Sequence, residues 1–90
     1  ITIIPIEIGN LLNLKELNLN SNEIITIPIE IGNLINLEEF YLNKNEITKI
    51  PIEIGKLINI NSLHLYNNSI KFPSNEIIKK TSKEIINYLK

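Results

Sequence analysis

The chain of 90 residues contains no cysteine, methionine, tryptophan, aspartate or arginine. Without cysteine it can form neither a disulfide nor a thiolate zinc site, and this absence favours a reducing compartment. Nine basic and ten acidic residues give a net charge of −1, without the basic excess expected of a nucleic-acid-binding protein. No apolar run approaches the roughly 18–20 residues needed to cross a bilayer. We therefore expect neither nucleic acid nor membrane as a partner.

The location of the protein follows less directly from the sequence. No charged and then apolar leader resembling a signal peptide is present, so we expect a cytoplasmic protein. The sequence starts without methionine and in the middle of a pattern. An upstream leader, and hence secretion, stays open.

What the chain does have is a pattern that recurs every 23 residues. The segment from Leu14 to Pro28 reads LKELNLNSNEIITIP, and the segment from Leu37 to Pro51 reads LEEFYLNKNEITKIP. A third copy from Ile60 to Pro73, INSLHLYNNSIKFP, is one residue shorter. Self-similarity at a fixed period predicts a solenoid in which each repeat forms one coil.

Apolar residues alternate with polar ones at the start of each repeat, as in a strand with one buried face. We expect strands at about 16–19, 39–42 and 62–65, stacked into a parallel sheet. The residues predicted to face inward are Leu14, Leu17, Leu19, Leu37, Phe40, Leu42, Ile60, Leu63 and Leu65.

An asparagine follows each predicted strand, where the chain turns out of the sheet and leaves backbone groups without a strand partner. Asn22, Asn45 and Asn68 hold this position. A buried asparagine side chain both donates and accepts, so a column of them can satisfy those groups from coil to coil. We predict a structural role for this column. The inward positions expected next are Ile24, Ile47 and Ile70, followed by Ile27, Ile50 and Phe72 before the prolines.

The return path of each coil reads PIEIGNL, PIEIGNL or PIEIGKL. Proline suits the first turn of a helix, and a glutamate there meets the positive helix end. The glycine that follows is expected to end the turn in a left-handed conformation. Each coil should therefore have a short helix or 3-10 turn, for example at about 28–33. Its inward residues are expected to be Ile8, Ile31, Ile54, Leu11, Leu34 and Leu57.

The repeat pattern ends near Pro73, which divides the chain into repeats at 1–73 and a C-terminal cap at 74–90. Ser74 and the isoleucines and leucine that follow have helical spacing, and Thr81 and Glu84 form a capping-box pattern. We expect a helix over about 75–89, interrupted near Thr81. A terminal repeat needs such a lid with a polar outer side, which Lys79, Lys80, Lys83 and Lys90 supply.

These motifs resemble the leucine-rich repeats of the 23-residue LPxxIGxLxxLxxLxLxxNxL type, as in the Ras-suppressor-like intracellular scaffolds and their bacterial counterparts. The lid is similar to the one that ends many such arrays, including arrays that precede a Roc GTPase domain, although Lys80 stands where glycine is common. The resemblance implies an α/β right-handed solenoid. It also implies a curved parallel sheet on the concave face, short helices or 3-10 turns on the convex face, and protein recognition by the sheet.

The outward strand positions form the candidate protein-binding surface. Three aromatic side chains with polar groups, Tyr41, His64 and Tyr66, fall near its C-terminal end, and such residues are enriched in interface hot spots. The alternative is that tyrosines simply suit a sheet surface. The complete predicted set is Glu16, Asn18, Asn20, Glu39, Tyr41, Asn43, Lys44, Ser62, His64 and Tyr66.

Nothing in this surface predicts catalysis, a cofactor or a metal. His64 has no cysteine, aspartate or second histidine near it to share a metal or complete a triad. Glu16 and Glu39 should lie at strand spacing, but an open sheet provides neither a pocket nor the desolvation that would separate their pKa values. We therefore expect a protein that is not an enzyme.

Two apolar columns are expected on the convex side, namely Ile6, Ile29 and Ile52, and Leu12, Ile35 and Ile58. Partial burial under neighbouring coils is the favoured interpretation. A second contact surface is the alternative.

The strand at Leu17–Leu19 has no neighbour on its N-terminal side in this sequence, and Ile3, Ile8, Leu14 and Leu17 lack a cover. Open edges recruit partners. The hypothesis is either a fragment of a longer array or self-association through this end.

Three functions remain open from the sequence. The favoured one is a module that binds a protein through the concave face. The second is a structural or spacer segment of a longer scaffold, for example one that regulates a GTPase. The third is a secreted or surface binder of host proteins.

Overall fold

The computed structural model describes residues 2–90, so Ile1, the first residue of the predicted repeat region 1–73, lies outside the described residues. The strands are β1 (Glu16–Asn18), β2 (Glu39–Tyr41) and β3 (Ser62–His64). They form one parallel sheet in the order β1-β2-β3. Leu17 pairs with Phe40 and Phe40 pairs with Leu63, so the register follows the sequence period. The predicted stacked parallel sheet is confirmed, with each strand one residue shorter than expected.

Three 3-10 helices return the chain behind the sheet, at Ile6–Asn10, Ile29–Asn33 and Ile52–Lys56. Each begins directly after a proline in an extended conformation, such as Pro28 with φ −70° and ψ 150°. A proline at this boundary costs no helical hydrogen bond because its missing N–H would have had no partner there. A glutamate occupies the first turn of every one.

The role predicted for the glycines is wrong. None of the glycines has a positive φ, and each 3-10 helix continues one residue beyond its glycine. A Cβ on Gly32 would instead lie 2.8 Å from the carbonyl oxygen of Glu53, and a Cβ on Gly55 would lie 2.7 Å from the carbonyl carbon of Leu89. Glycine is therefore required because successive return segments, and finally the lid, pack too closely for a side chain.

The left-handed conformation occurs at another repeating position, immediately before each ladder asparagine. Ser21, Lys44 and Asn67 have φ values of 58°, 60° and 59°. Asparagine tolerates this region better than serine or lysine does. The sharp turn out of each strand is thus made at these residues.

We number the coils first to third by their strands β1, β2 and β3. The apolar core lies between the sheet and the 3-10 helices, and most of its fully buried residues belong to the second and third coils. Leu34, Leu37 and Phe40 have no exposed surface, and burying each such side chain stabilises the fold by roughly 1.5–3 kcal/mol. Leu11, which was predicted to face inward, is 50% exposed, whereas Leu57 at the same position is fully buried. Leu11 differs because, among the described residues, no coil packs against the N-terminal side of the coil that contains it.

Phe72 is a further correction, since it was predicted to face inward and is exposed. Its backbone forms a parallel bridge with Lys49, not with Ile50. The one-residue shortening therefore falls after Phe72, and Pro73 takes the buried position that Ile50 holds in the preceding coil. Alignment by the prolines shifted Phe72 by one residue, which turned its side chain to the wrong face.

The C-terminal lid consists of two helices, α1 (Asn75–Ile78) and α2 (Ser82–Leu89). Thr81 and Glu84 make both hydrogen bonds of a capping box at the start of α2. The chain is thus interrupted at Thr81, as predicted, whereas the Ser74 side chain makes no cap hydrogen bond to α1. Ile85, Ile86 and Leu89 are buried against the last coil. None of the helices in residues 2–90 is long and apolar enough to cross a membrane.

Candidate functional site

The sheet presents one face away from the core, and its side chains come from alternate residues of β1, β2 and β3 because strand side chains alternate between faces. The Cα register places Glu16 opposite Glu39 and Glu39 opposite Ser62. It places Asn18, Tyr41 and His64 in a second row in the same way. We call this surface the sheet face.

Two of the predicted aromatic residues stack on the sheet face. The rings of Tyr41 and His64 have centroids 4.6 Å apart and planes 8° apart. Tyr41 also donates a hydrogen bond from its hydroxyl to Oε1 of Glu39, at 2.7 Å. That hydrogen bond, followed by burial and the charges of Glu39 and Glu16, raises the pKa of Tyr41 above its ordinary value. Tyr41 is thus held in place by the stacking of its ring and by the hydrogen bond of its hydroxyl.

Tyr66 lies apart from this stack, beyond the end of β3. It is 72% exposed, and among residues 2–90 the only stacked aromatic pair is Tyr41 with His64. The backbone of Tyr66 is held in place, because its N–H donates to Oδ1 of Asn43 at 2.7 Å. The structure therefore places a free phenol ring on a fixed backbone beside a pre-formed stack.

Asn20 and Asn43, both predicted as binding residues, also hold neighbouring coils together. Oδ1 of Asn20 accepts from the N–H of Asn43 at 2.7 Å, and Oδ1 of Asn43 accepts from the N–H of Tyr66. Oδ1 of Asn18 accepts from the N–H of Asn20 at 3.1 Å. The carbonyl oxygens of these side chains are thus engaged by the backbone, a role that the sequence interpretation did not foresee.

The charged and small residues of the predicted set lie around the stack. Glu16 and Lys44 are exposed, and Glu39 and Ser62 are half-buried. Lys44 has the positive φ described above, so its position is fixed by the turn. The sheet face therefore combines acidic residues on β1 and β2 with an aromatic pair on β2 and β3.

The ladder asparagines contact the backbone of adjacent coils. Nδ2 of Asn45 donates to the carbonyl oxygens of Leu19 at 2.9 Å and Leu42 at 3.1 Å, and its Oδ1 accepts from the N–H of Ile24 at 3.1 Å. Asn68 repeats this pattern one coil later with Leu42, Leu65 and Ile47. Nδ2 of Asn22 donates to the carbonyl oxygen of Leu19 at 2.9 Å.

A second asparagine column, on the return side of the coils, was missed from the sequence. Nδ2 of Asn36 donates to the carbonyl oxygen of Leu12 at 2.8 Å, and Nδ2 of Asn59 donates to that of Ile35 at 2.7 Å. The recurrence of asparagine at Asn13, Asn36 and Asn59 was the available signal.

The two apolar columns of the convex side are partly buried, with more than half of each side chain exposed. Their exposure ranges from 53% at Ile35 to 69% at Ile58. All six residues of these columns are exposed to a similar extent.

Within the described residues, no three side chains of the kinds that bind metals come together. His64 stacks on Tyr41 instead of meeting a carboxylate and a hydroxyl in the arrangement of a catalytic triad. The sheet face therefore presents aromatic, acidic and amide groups on an open surface.

Comparison with known sequences places the repeats in a family. The Leucine Rich Repeat profile matches residues 13–34 and 36–57, which are two consecutive coils. No relative of the chain was found among curated proteins.

Solved structures give the same result. A leucine-rich-repeat protein from Leptospira interrogans is 29% identical with a TM-score of 0.76, over 92% of this chain and 27% of that one. The leucine-rich-repeat ectodomain of the receptor kinase SOBIR1 from Arabidopsis thaliana is 34% identical with a TM-score of 0.67, over 72% of this chain and 36% of that one. The chain thus spans about a quarter to a third of the length of these similar structures.

Proposed function

We propose that this chain, which is a leucine-rich-repeat protein, binds another protein through the sheet face. Leucine-rich repeats are in general protein-interaction modules, and the sheet face is the part of this chain best prepared for such contact. The observation that carries the proposal is the stack of Tyr41 and His64, fixed further by the hydrogen bond to Glu39. An aromatic surface that is already ordered loses little conformational entropy on binding.

The chemistry of the sheet face indicates the kind of partner. Glu16 and Glu39 lie side by side on neighbouring strands, and their charges are complementary to a basic surface. Tyr66 adds an exposed aromatic side chain at the edge. We therefore infer a partner with basic residues around an apolar or aromatic centre, with the charges setting orientation and association rate more than affinity.

The test is a comparison of two double variants in partner capture from extracts of the cells that make the protein. Tyr41→Ala with Tyr66→Ala should reduce capture at least about tenfold, as expected for hot-spot aromatic residues. The matched control, Ile35→Ala with Ile58→Ala, removes two large exposed side chains from the convex side and should leave capture unchanged. Both variants should melt close to the wild type because neither changes a fully buried residue.

A structural spacer is the alternative function, and the same experiment separates it. If the coils only extend a scaffold, both variants behave like the wild type. Loss of capture in the convex variant alone would instead make the Ile and Leu columns the contact surface and would refute the sheet-face proposal. A third candidate function, a secreted or surface binder, is tested by determining where the protein is located. The similar SOBIR1 structure is the ectodomain of a receptor kinase.

Self-association through the first coil is a second proposal, favoured by one observation. Leu11 is 50% exposed where Leu34 and Leu57 are fully buried, and Leu17 is only half-buried where Phe40 is fully buried. A second copy could cover this apolar edge, as open strand edges commonly require. Light scattering of the 90-residue chain should then give a mass above that of the monomer, and a stable monomer would contradict the proposal.

A further inference from the structure

Within residues 2–90, some backbone N–H groups of the last coil lack the hydrogen bonds that the equivalent groups make in the two preceding coils. In the second coil, the N–H groups of Leu42 and Lys44 donate to the carbonyl oxygens of His64 and Tyr66, at 2.8 and 2.9 Å. The N–H of Ile47 donates to Oδ1 of Asn68 at 3.0 Å. All three bonds cross from one coil to the next.

The first coil makes the same three bonds. The N–H groups of Leu19 and Ser21 donate to carbonyl oxygens of the second coil, both at 2.8 Å, and the N–H of Ile24 donates to Oδ1 of Asn45 at 3.1 Å. The pattern is therefore a property of every coil that has a successor. It reappears at a fixed shift of 23 residues.

The third coil has no successor among the described residues, and its equivalent donors are the N–H groups of Leu65, Asn67 and Ile70. None of them has a hydrogen-bond partner within residues 2–90. The carbonyl oxygen of Leu65 accepts from Asn68 alone, whereas that of Leu42 accepts from both Asn45 and Asn68. One edge of the last coil thus retains three N–H donors without a partner in the described part of the chain and one carbonyl oxygen, that of Leu65, that can accept a second hydrogen bond.

The lid satisfies only the first part of this edge. Oγ of Ser82, at the start of α2, accepts from the N–H of Leu63 at 2.8 Å and donates to the carbonyl oxygen of Leu63 at 3.4 Å. In a parallel strand, every second residue directs its N–H to the same side. The N–H of Leu65 therefore points toward the lid, but past the end of the contact made by Ser82.

A groove lies at this place, between the last coil and the lid. We call it the lid notch, and the residues that matter for its chemistry are Leu65, Ile70, Lys71, Ile78, Lys79 and Lys80. Ile70 and Ile78 are half-buried and form apolar walls, whereas the three lysines are exposed. No carboxylate lies among the described residues that line it. The notch is therefore apolar at its base and positive at its rim.

We propose that the lid notch binds an extended acidic peptide, which adds to the edge of β3 as one more parallel strand. The peptide backbone supplies carbonyl oxygens to Leu65 and Asn67, as the next coil does elsewhere in the array. It supplies a third carbonyl oxygen to Ile70, in place of the asparagine Oδ1 that the next coil provides to Ile24 and Ile47. The donors span six residues, so a segment of about six extended residues is long enough to reach them. Glutamate or aspartate side chains face the lysines, and alternate apolar side chains face Ile70 and Ile78.

The groups proposed to bind the peptide differ from those of the sheet face, although the two surfaces adjoin. The lid notch uses backbone groups and lysines of the last coil and the lid, and Tyr41 and Glu39 do not line it. Ser62, His64 and Tyr66 border both surfaces and are left unchanged in the test. Failure of the sheet-face proposal would therefore leave the lid-notch result unaffected.

The probe is a fluorescein-labelled hexapeptide of alternating glutamate and valine, with a lysine–valine hexapeptide as its counterpart. Fluorescence anisotropy with the 90-residue chain should show saturable binding of the acidic peptide and at least about tenfold weaker binding of the basic one. Lys71→Glu with Lys79→Glu and Lys80→Glu should weaken the acidic peptide about tenfold or more. The matched control, Lys15→Glu with Lys49→Glu and Lys56→Glu, makes the same change in net charge at residues that do not line the notch and should have less than about a twofold effect.

Amide hydrogen exchange followed by NMR provides the second readout. In the free protein, the amides of Leu65, Asn67 and Ile70 should exchange faster than those of Leu42, Lys44 and Ile47, and the acidic peptide should slow them. Equal binding of both peptides, equal loss in both lysine variants, or peptide binding without protection of the three amides would overturn the proposal. Slow exchange of the three amides in the free protein would also overturn the proposal. The occupant of the notch would then be a second copy if the protection depends on protein concentration, and the protein's own chain if it does not.

Discussion

Replacing Asn45 with alanine tests how the coils are joined. Asn45 is 6% exposed, accepts from the N–H of Ile24 and donates to the carbonyl oxygens of Leu19 and Leu42. A longer bond of 3.4 Å runs to the carbonyl oxygen of Asn43, which also accepts from the N–H of Ser21. The carbonyl oxygens of Leu19 and Leu42 keep a partner in the variant, because Asn22 and Asn68 also donate to them. The N–H of Ile24 has no such second partner.

The magnitude follows from this inventory. A buried donor left without a partner costs about 1–3 kcal/mol, and each lost bond at a carbonyl that keeps another partner costs about 0.5 kcal/mol. The variant should therefore lose roughly 2–4 kcal/mol of unfolding free energy, out of about 5–15 kcal/mol for a domain of this kind. At about 4–8 °C per kcal/mol for a chain of this length, the melting temperature should fall by roughly 10–30 °C.

Chemical and thermal unfolding, followed by circular dichroism, measure this loss. Asn61 is exposed and supplies a matched control, since Asn61→Ala removes an equal side chain and should change the unfolding free energy by no more than about 0.5 kcal/mol. A loss below about 1 kcal/mol for Asn45→Ala would refute the reasoning, because it would mean that the ladder contributes no more than an ordinary surface contact.

Two further predictions concern the return segments and the lid. Gly32→Ala should lower the unfolding free energy by roughly 1–3 kcal/mol, because its Cβ would meet the carbonyl oxygen of Glu53 at 2.8 Å; Gly9→Ala, with a nearest approach of 3.0 Å, should cost less, and stabilisation of either by the helix propensity of alanine would contradict the packing argument. The backbone and side-chain hydrogen bonds from Thr81 lower the pKa of Glu84, so its stabilisation is present above the ordinary range near about pH 4.3 and is lost as the pH falls through the lowered pKa. The melting-temperature difference between the wild type and Glu84→Gln should therefore change below about pH 4 and be constant above about pH 6; a difference that is constant at every pH would contradict it.

The architecture could be predicted because it depends on period more than on detail. A shift of 23 residues pairs Glu16 with Glu39 and Glu39 with Ser62 in the sequence, and the sheet uses the same register. In each strand the central side chain is more buried than the two that flank it, so the sheet face also followed from the period. The interruption of the lid at Thr81 was readable because capping-box residues have fixed spacing.

The errors arose where the period is broken or where an alternative structural reason applies. The missing residue of the last repeat could be placed before or after Phe72, and the prolines favoured the wrong choice. Glycine was assigned to a left-handed turn, although Gly32 is needed for its close approach to Glu53. Both decisions depend on contacts between coils, which one coil's sequence does not contain.

The detail of the candidate site depends on side-chain rotamers and on the position of the lid. The sequence placed Tyr41 and His64 on neighbouring strands but could not show that their rings stack, because a ring can point along or across a strand. The lid notch could not be predicted from the sequence either, because it exists only if Ser82 bonds to the backbone of Leu63 and the lid makes no such bond to Leu65. Local pattern defines the elements, whereas these features are set by how the elements meet.

Photo-crosslinking from opposite sides of the molecule tests most directly whether the sheet face binds the partner. A photoreactive amino acid is placed in turn at Glu16, on the sheet face, and at Ile58, on the convex side, and each protein is irradiated in extracts of the cells that make it. The sheet-face account predicts a covalent product with a second protein from position 16 and none from position 58. A product from position 58 alone would contradict it.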